Sequence, residues 1–139
     1  MPNHKNISIL IKRANLKFDK VANRILSNYE MTSTQLKILK YLFHFSDFTV
    51  TQRELEIYFS MTNPTVTGIL QNLQKKGFII RKPNPKDARS KVIGLADKSR
   101  ELKGKMYVIG QQLDEQLTKN LNDEERILLM DLLEKIVEE

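Results

Sequence analysis

The N-terminal third of the chain shows the apolar spacing of two helices. In the first, apolar residues alternate four and three positions apart, the repeat of a helix seam: Ile7, Ile11, Ala14, Phe18, Val21 and Ile25. This repeat predicts a helix from about Asn6 to Asn28. Residues 32–35 then have the composition of a capping box, with Met31 and Leu36 as its hydrophobic staple. A second helix is predicted to follow, with an inward stripe: Leu36, Leu39, Leu42 and Phe43.

A helix-turn-helix pattern occupies the centre of the chain. Residues 51–54 form another capping box and predict a short helix from Gln52 to about Phe59. After a tight turn, a second helix is predicted from an apolar stripe at the helical repeat: Val66, Ile69, Leu70 and Leu73. Asn63 is expected to cap this helix, with Pro64 at its first position and Gly77 at its end.

Beyond Gly77 the alternation of apolar and polar residues predicts two strands. These are Phe78 to Lys82 and Lys91 to Leu95, and the segment Pro83 to Pro85 bars regular structure between them. The pattern therefore predicts a two-stranded hairpin with a long tip. A hairpin directly behind a helix-turn-helix is a wing.

Two further helices are predicted after the hairpin. A stripe typical of a bundle seam predicts one helix of more than twenty residues, starting near Asp97 as its cap: Leu102, Met106, Ile109, Leu113 and Leu117. Asn122 is expected to cap a last amphipathic helix whose first turn is acidic. One winged-helix core cannot easily bury these helices and the N-terminal one as well. We therefore expect them to pack against the same helices of a second copy around a two-fold axis.

Positive charge is concentrated beside the second helix of the helix-turn-helix. The segment Lys75–Lys91 contains seven basic residues and one acidic residue, Asp87, so it alone accounts for the +6 net charge of the chain. The polar, nearly uncharged face of the helix carries Pro64, Gly68, Gln71 and Lys75, flanked by short groups that can approach base edges, Thr67 and Asn72. A basic hairpin beside such a face indicates phosphate contacts around a reading element. A solvated surface loop is the alternative for the charge run alone.

Length and composition narrow the classes of function. The chain has 139 residues, a one-domain length, and a pI near 9.5 that favours an anionic partner. It has no cysteine and only two histidines, His4 and His44, so no metal-ligand spacing and no catalytic triad is predicted. No phosphate-cradling glycine loop, secretory signal or membrane-spanning run is visible either. We expect a cytoplasmic protein without a cofactor, and not an enzyme.

The chain resembles the MarR family of bacterial transcription regulators. The resemblance is carried by the helix-turn-helix, by the stretch LQKKGFIIRKPNPKDARSK, by Val92–Leu95 running into a helix, and by Leu121–Glu125 before the last helix. It extends over nearly all of the chain. Two features depart from the family pattern. Ala88 stands where a wing arginine is usual, and Ala96 and Ser99 stand where a threonine and a following glycine are usual.

The resemblance implies a mainly α fold, a winged helix-turn-helix with a two-stranded β-wing and long N- and C-terminal dimerisation helices. Residues 1–139 would form one domain, with 31–96 binding DNA and with 1–30 and 97–139 dimerising. The recognition helix would bind DNA through a set of short or polar residues: Asn63, Thr65, Thr67, Gly68, Gln71, Asn72 and Lys75. The wing would add a mostly basic set: Lys82, Lys86, Asp87, Arg89 and Lys91.

The expected function is a homodimeric repressor that binds a pseudo-palindromic operator in double-stranded DNA. Arg89 would enter the minor groove with its guanidinium held by Asp87, and Gln71 would read adenine in the major groove. The family also implies release of DNA by a small, often aromatic effector, whose binding residues the sequence does not identify. The alternatives are a winged helix that binds proteins, and a single-stranded RNA binder, which would need exposed stacking aromatics.

Overall fold

The computed structural model describes residues 6–138 and confirms the mainly α winged-helix fold. Its elements in chain order are α1 (Ile7–Leu26), α2 (Ser33–Leu42), β1 (Val50–Thr51), α3 (Gln52–Phe59), α4 (Asn63–Lys75), β2 (Ile79–Asn84), β3 (Asp87–Leu95), α5 (Asp97–Gly104), α6 (Met106–Leu117) and α7 (Asp123–Val137). A 3-10 turn, Ser27–Tyr29, follows α1. Residues 1–5 and 139 of the predicted dimerisation segments lie outside the described part.

The core of the winged helix consists of the apolar stripes that the sequence predicts. Val66, Leu70 and Leu73 of α4 are completely buried, and so are Ile38 and Leu39 of α2. Burying one such side chain is worth about 1.5–3 kcal/mol relative to leaving it in water. The inward face of α4 is therefore fixed by packing, and its opposite face is presented to solvent.

The sheet has three strands and not the two predicted, in the order β1-β3-β2. The additional strand β1 pairs antiparallel with β3, with Val50 opposite Ile93 and Thr51 opposite Val92. Two residues are too few to show an alternation of apolar and polar side chains, which is why the sequence does not reveal this strand. Val50 is nevertheless 1% exposed, so β1 ties the base of the wing to the start of α3.

The wing has a short tip, which corrects the prediction of a long one. Strand β2 continues through Pro83, which pairs with Lys91, and only Pro85 and Lys86 separate β2 from β3. Proline is tolerated here because β2 is an edge strand, where a missing N–H need not interrupt the ladder. The irregularity that it introduces is a register shift between Pro83 and Asn84.

The helix-turn-helix has the predicted elements with a different cap. Thr62, and not Asn63, caps α4, because its Oγ1 accepts a hydrogen bond from the backbone N–H of Thr65 at 3.3 Å. The predicted stop is confirmed. Gly77 adopts a φ of +86°, and the N–H of Phe78 donates to the carbonyl of Leu73 at 2.9 Å, which closes the helix in a Schellman motif.

Of the two predicted capping boxes, the one at α2 is confirmed and the one at α3 forms only in part; α7 begins with a further box at its predicted cap, Asn122. At α2, Thr32 and Gln35 exchange both hydrogen bonds, and at α7 Asn122 and Glu125 do the same. At α3 only half of the box forms: Thr51 accepts from the N–H of Glu54 at 3.2 Å, and no return bond from Glu54 is present.

The single long helix predicted after the wing is instead two helices, α5 and α6. The break falls at Lys105, where ψ is −2° and the N–H bonds to Leu102 only three residues back. Gly104, a weak helix former, directly precedes the break. Asp97 does not cap α5 either: Ala96 occupies the cap position, and the Asp97 carboxylate instead accepts from Arg100 at 3.0 Å.

The terminal helices leave much apolar surface uncovered in a single chain. α1 packs against α6, but α7 has no buried residue. The apolar residues of α7 face solvent together with several from α1: Ile127, Leu128, Met130, Leu132, Leu133, Ile136, Val137, Ile7, Leu10, Ile11 and Leu16. No helix between residues 6 and 138 is long and apolar enough to cross a membrane.

Candidate nucleic-acid interface

The solvent face of α4 has the composition that the sequence predicts for a reading helix. Pro64, Gly68, Gln71 and Lys75 follow one another along this face, and all four are exposed. Between residues 6 and 138, the side chains of Gln71 and Lys75 make no hydrogen bond and no ion pair to the rest of the chain, so both are free to bind another molecule.

Other predicted recognition residues have side chains that are already bonded within the protein. The amide of Asn63 donates to Glu56 at 2.9 Å, and the hydroxyl of Thr67 accepts from Gln52 at 2.8 Å. The amide oxygen of Asn72 accepts from Gln35 at 2.9 Å. These contacts fix α4 against α2 and α3.

Thr65 is also engaged, because its hydroxyl lies 2.8 Å from the hydroxyl of the cap residue Thr62. Either hydroxyl can act as the donor, so the pair retains a free acceptor position. The start of α4 is therefore a group of short polar side chains that hold one another in place.

Glu56 is a site residue that the sequence does not reveal. Its carboxylate is 6% exposed and accepts hydrogen bonds from Asn63 at 2.9 Å, Arg53 at 3.1 Å and Gln52 at 3.4 Å. The hydrogen bond from Asn63, joined by those from Arg53 and Gln52, lowers the pKa of Glu56 against the opposing effect of burial. Nothing in the spacing of α3 distinguishes this buried glutamate from the exposed Glu54 beside it.

We expect Glu56→Gln to lower the thermal unfolding midpoint at pH 7, because the neutral amide accepts these hydrogen bonds more weakly than the carboxylate does. The lowered pKa means that the carboxylate stabilises the fold above the unfolded-state value of about 4.5 and loses this contribution at more acid pH. The difference in midpoint between wild type and Glu56→Gln should therefore shrink below pH 4.5. Glu54→Gln, which removes an exposed carboxylate from the same helix, is the matched control for the midpoint at pH 7. A constant gap for Glu56→Gln would contradict the prediction.

The predicted wing residues lie on one hairpin and are all exposed. Lys82 is on β2, Lys86 is in the turn, and the rest are on β3. The carboxylate of Asp87 accepts from both the backbone N–H of Arg89 at 3.1 Å and its Nε at 3.3 Å. The Arg89 side chain is 91% exposed, so the outer nitrogens of its guanidinium face solvent while Asp87 holds its Nε and backbone N–H.

Phe48 supports the base of the wing and was also missed from the sequence. It adopts a φ of +63°, and its N–H donates to the carbonyl of Ile93 at 3.0 Å. Its ring lies over Gly94, where a Cβ would come within 2.6 Å of it. The ammonium of Lys82 lies 4.1 Å from the centre of the same ring, a cation–π contact that orients this lysine.

The chemistry available at this surface is binding. Exposed amides and hydroxyls can pair with base edges, and exposed cations can pair with phosphates. Within residues 6–138, no group of three histidine, cysteine, aspartate or glutamate side chains could hold a metal ion. His44 is exposed, and His4 lies outside the described residues.

Comparison with known proteins identifies a matching family model, similar sequences and similar solved structures. A model described as the MarR family matches residues 31–91. The multiple antibiotic resistance protein MarR of Salmonella typhimurium is 34% identical over 129 residues, which cover 92% of this chain and 88% of that protein. The crystal structure of the reduced form of MarR from Escherichia coli is 30% identical, with a TM-score of 0.83, and the match covers 96% of this chain and 98% of that one.

A structure of a mutant MarR from Escherichia coli complexed with operator DNA is also similar. It is 31% identical to this chain with a TM-score of 0.72, and the match covers 95% of this chain and 94% of that one. Three observations support the same family: the sequence identity, the backbone fold, and the polar face of α4 beside a basic wing. The chain therefore belongs to the MarR family and is a DNA-binding transcriptional regulator rather than an enzyme.

Proposed function

We propose that this protein is a homodimeric repressor that acts in the cytoplasm by binding a pseudo-palindromic operator in double-stranded DNA. The observation that carries the proposal is the exposed face of α4, where Gln71 and Lys75 are free, beside a wing that projects Arg89 into solvent. In each protomer α4 occupies a major groove and the wing reaches the neighbouring minor groove.

The roles of the recognition residues follow from which side chains are free. Gln71 reads a base, and Lys75 contributes affinity at every sequence. Gly68 lies between Pro64 and Gln71 on the reading face. Thr65 contacts a phosphate or a thymine methyl near the start of α4. The bonded side chains hold the helix at the correct angle instead: Asn63, Thr67 and Asn72.

The wing residues divide in the same way. Lys82, Lys86 and Lys91 are exposed cations that neutralise phosphates on either side of the hairpin. Arg89 enters the minor groove, where the negative potential is enhanced, and Asp87 restricts the orientation of its guanidinium.

The uncovered apolar residues of α1 and α7 support the homodimer. Scattered apolar side chains are normal on a surface, but an amphipathic helix that buries nothing in its own chain is not. To bind inverted half-sites, such a dimer would hold its two α4 helices about 34–36 Å apart, one turn of the duplex.

Selection of bound fragments from a random duplex library tests the DNA-binding proposal directly. We expect two inverted half-sites with centres about one helical turn apart. Binding to the selected operator should weaken steeply with salt, and the slope of log K against log salt should change by about −0.9 for each neutralised phosphate. If DNA binding showed no sequence preference and did not depend on salt, the alternative of a protein-binding winged helix would be favoured instead.

A cavity between the terminal helices and the winged helix supports an effector site. It has a volume of about 150 Å³ and is lined by residues of α1, α2 and α6. Phe18, Leu36 and Ile109 give it an apolar wall, and Lys37 and Lys40 lie at its α2 side. An apolar cavity with cations at one side suits a small aromatic carboxylate. We propose that such a ligand releases the operator by changing how α2 sits against α1 and α6.

Benzoate is a suitable probe of this cavity. We expect benzoate to weaken operator binding by wild type, and the Lys37→Gln and Lys40→Gln double variant to need about tenfold more benzoate for the same effect, because a charge-assisted hydrogen bond is lost. Lys12→Gln, an exposed cation of α1 outside the cavity, is the matched control. An equal benzoate response in wild type and the double variant would reject the two lysines as carboxylate partners.

A further inference from the structure

Gly68 occupies a position in α4 where the fold has no need of glycine. It lies in the interior of the helix, it is exposed, and a Cβ added to it would meet no atom within 4 Å. Two other glycines differ in this respect. Gly77 needs its positive φ of +86°, and a Cβ on Gly94 would overlap the ring of Phe48.

Glycine in a helix interior lowers stability relative to alanine, because the unfolded chain gains backbone entropy and no side chain shields the helix backbone. The fold therefore loses stability at Gly68 and gains no packing in return. The remaining use of a missing side chain is to let another molecule approach the backbone closely.

The neighbours of Gly68 identify where that approach occurs. Pro64 lies one turn before it and Gln71 one turn after it on the same exposed face, while Val66 and Leu70 on either side of it along the chain point into the core. Gly68 is thus the centre of the free face of α4, and it forms a bare patch of backbone between a proline ring and the free amide of Gln71.

We propose that Gly68 is a specificity-determining residue: its missing side chain lets the α4 backbone approach the edges of the bases closely enough for Gln71 to make its bidentate contact. This inference rests on the proposed reading of DNA by α4. A methyl group at residue 68 would hold the helix away from the floor of the groove. Lys75 and the wing would keep their phosphate contacts, because their long side chains can follow a small displacement.

Gly68→Ala tests the proposal because its effects on stability and on specific binding have opposite signs. We expect the unfolding midpoint to rise by about 2–4 °C. Operator affinity should fall about ten- to a hundredfold, as expected when a bidentate base contact is lost, while affinity for random duplex stays within about twofold. Gly104→Ala is the matched control, since Gly104 is also helical and a Cβ there also meets nothing within 4 Å.

The results separate failure of the inference from failure of the proposed function. If wild type shows no preference for any selected duplex, the proposed function fails. If wild type discriminates and Gly68→Ala discriminates equally well, the inference alone is overturned. A fall in the unfolding midpoint of Gly68→Ala would also overturn it, because the space around residue 68 would then not be open. Gly68→Ser, with one further atom, should lose at least as much operator affinity as Gly68→Ala.

Discussion

Arg89→Ala should weaken operator binding about a hundredfold near physiological salt, because each protomer loses a charge-assisted hydrogen bond worth about 1.5 kcal/mol and the dimer has two wings. The side chain is 91% exposed in the free protein, so its removal disturbs no packing. Lys135→Ala, on the acidic last helix, should change the affinity by less than about twofold. Fluorescence anisotropy with the selected operator measures both variants.

The neighbouring carboxylate gives a sharper test of how the wing works. If only net charge mattered, Asp87→Ala would improve binding, because it removes a negative group from a surface that faces phosphates. In the structure, however, the Asp87 carboxylate accepts hydrogen bonds from both the backbone N–H and the Nε of Arg89. We therefore expect Asp87→Ala to weaken binding, since the guanidinium must then be ordered on the DNA.

Arg89→Lys completes this set of variants. It retains the charge but loses the planar fork that makes two hydrogen bonds at once, so it should recover only part of the affinity that Arg89→Ala loses. Equal losses from Arg89→Ala and Lys135→Ala, or a gain from Asp87→Ala, would show that the wing does not bind as proposed.

The elements that the sequence predicted correctly are those whose signal is local. α1, α2 and α4 each carry an apolar stripe at the helical repeat, α3 begins at the predicted cap Thr51, and Thr32 and Asn122 begin their helices with complete capping boxes. The stop after α4 is equally local, since the hydrogen bond of Phe78 to Leu73 spans only five residues. These features depend on neighbouring residues and can be identified without knowledge of the rest of the chain.

The elements that were missed depend on partners far along the chain. β1 exists because Val50 pairs with Ile93, and Phe48 adopts its unusual backbone because its ring covers Gly94. The break at Lys105 leaves the apolar stripe intact, with both Leu102 and Ile109 buried, so the stripe alone does not reveal it. The pattern of apolar and polar residues indicates which face of an element is buried, but it does not indicate which distant segment covers that face.

The same limit applies to the candidate site. A helical projection correctly separates the buried face of α4 from its polar face, yet it treats Thr67, Gln71 and Asn72 alike. The structure distinguishes them, because Gln52 from fifteen residues away bonds Thr67 and Gln35 from thirty-seven residues away bonds Asn72. Of these three polar residues, only Gln71 has a side chain with no hydrogen bond to the described part of the chain, and this makes it the stronger candidate for base reading.

Gln71→Ala should therefore lower discrimination at one base pair in each half-site by about 1–3 kcal/mol, the value of a bidentate contact. The Gln71 side-chain NH2 can donate to adenine N7 while its carbonyl oxygen accepts from the adenine N6 amino group, so the position affected should be an A·T pair. Lys75→Ala should instead reduce affinity for every sequence by a similar factor, because a phosphate contact carries no base information.

The measurement compares both variants with wild type on the selected operator and on operators with a single base-pair substitution. At one position in each half-site, a base-pair substitution should weaken binding by wild type but not binding by the Gln71→Ala variant. Asn72→Ala is a useful control, because its side chain is already bonded to Gln35. Removal of the Asn72 side chain should lower the affinity for all sequences alike, because α4 then loses a contact that fixes its position. If Gln71→Ala weakens all sequences equally while Lys75→Ala relaxes one position, α4 lies in the groove in a different register, with Lys75 at the base edges.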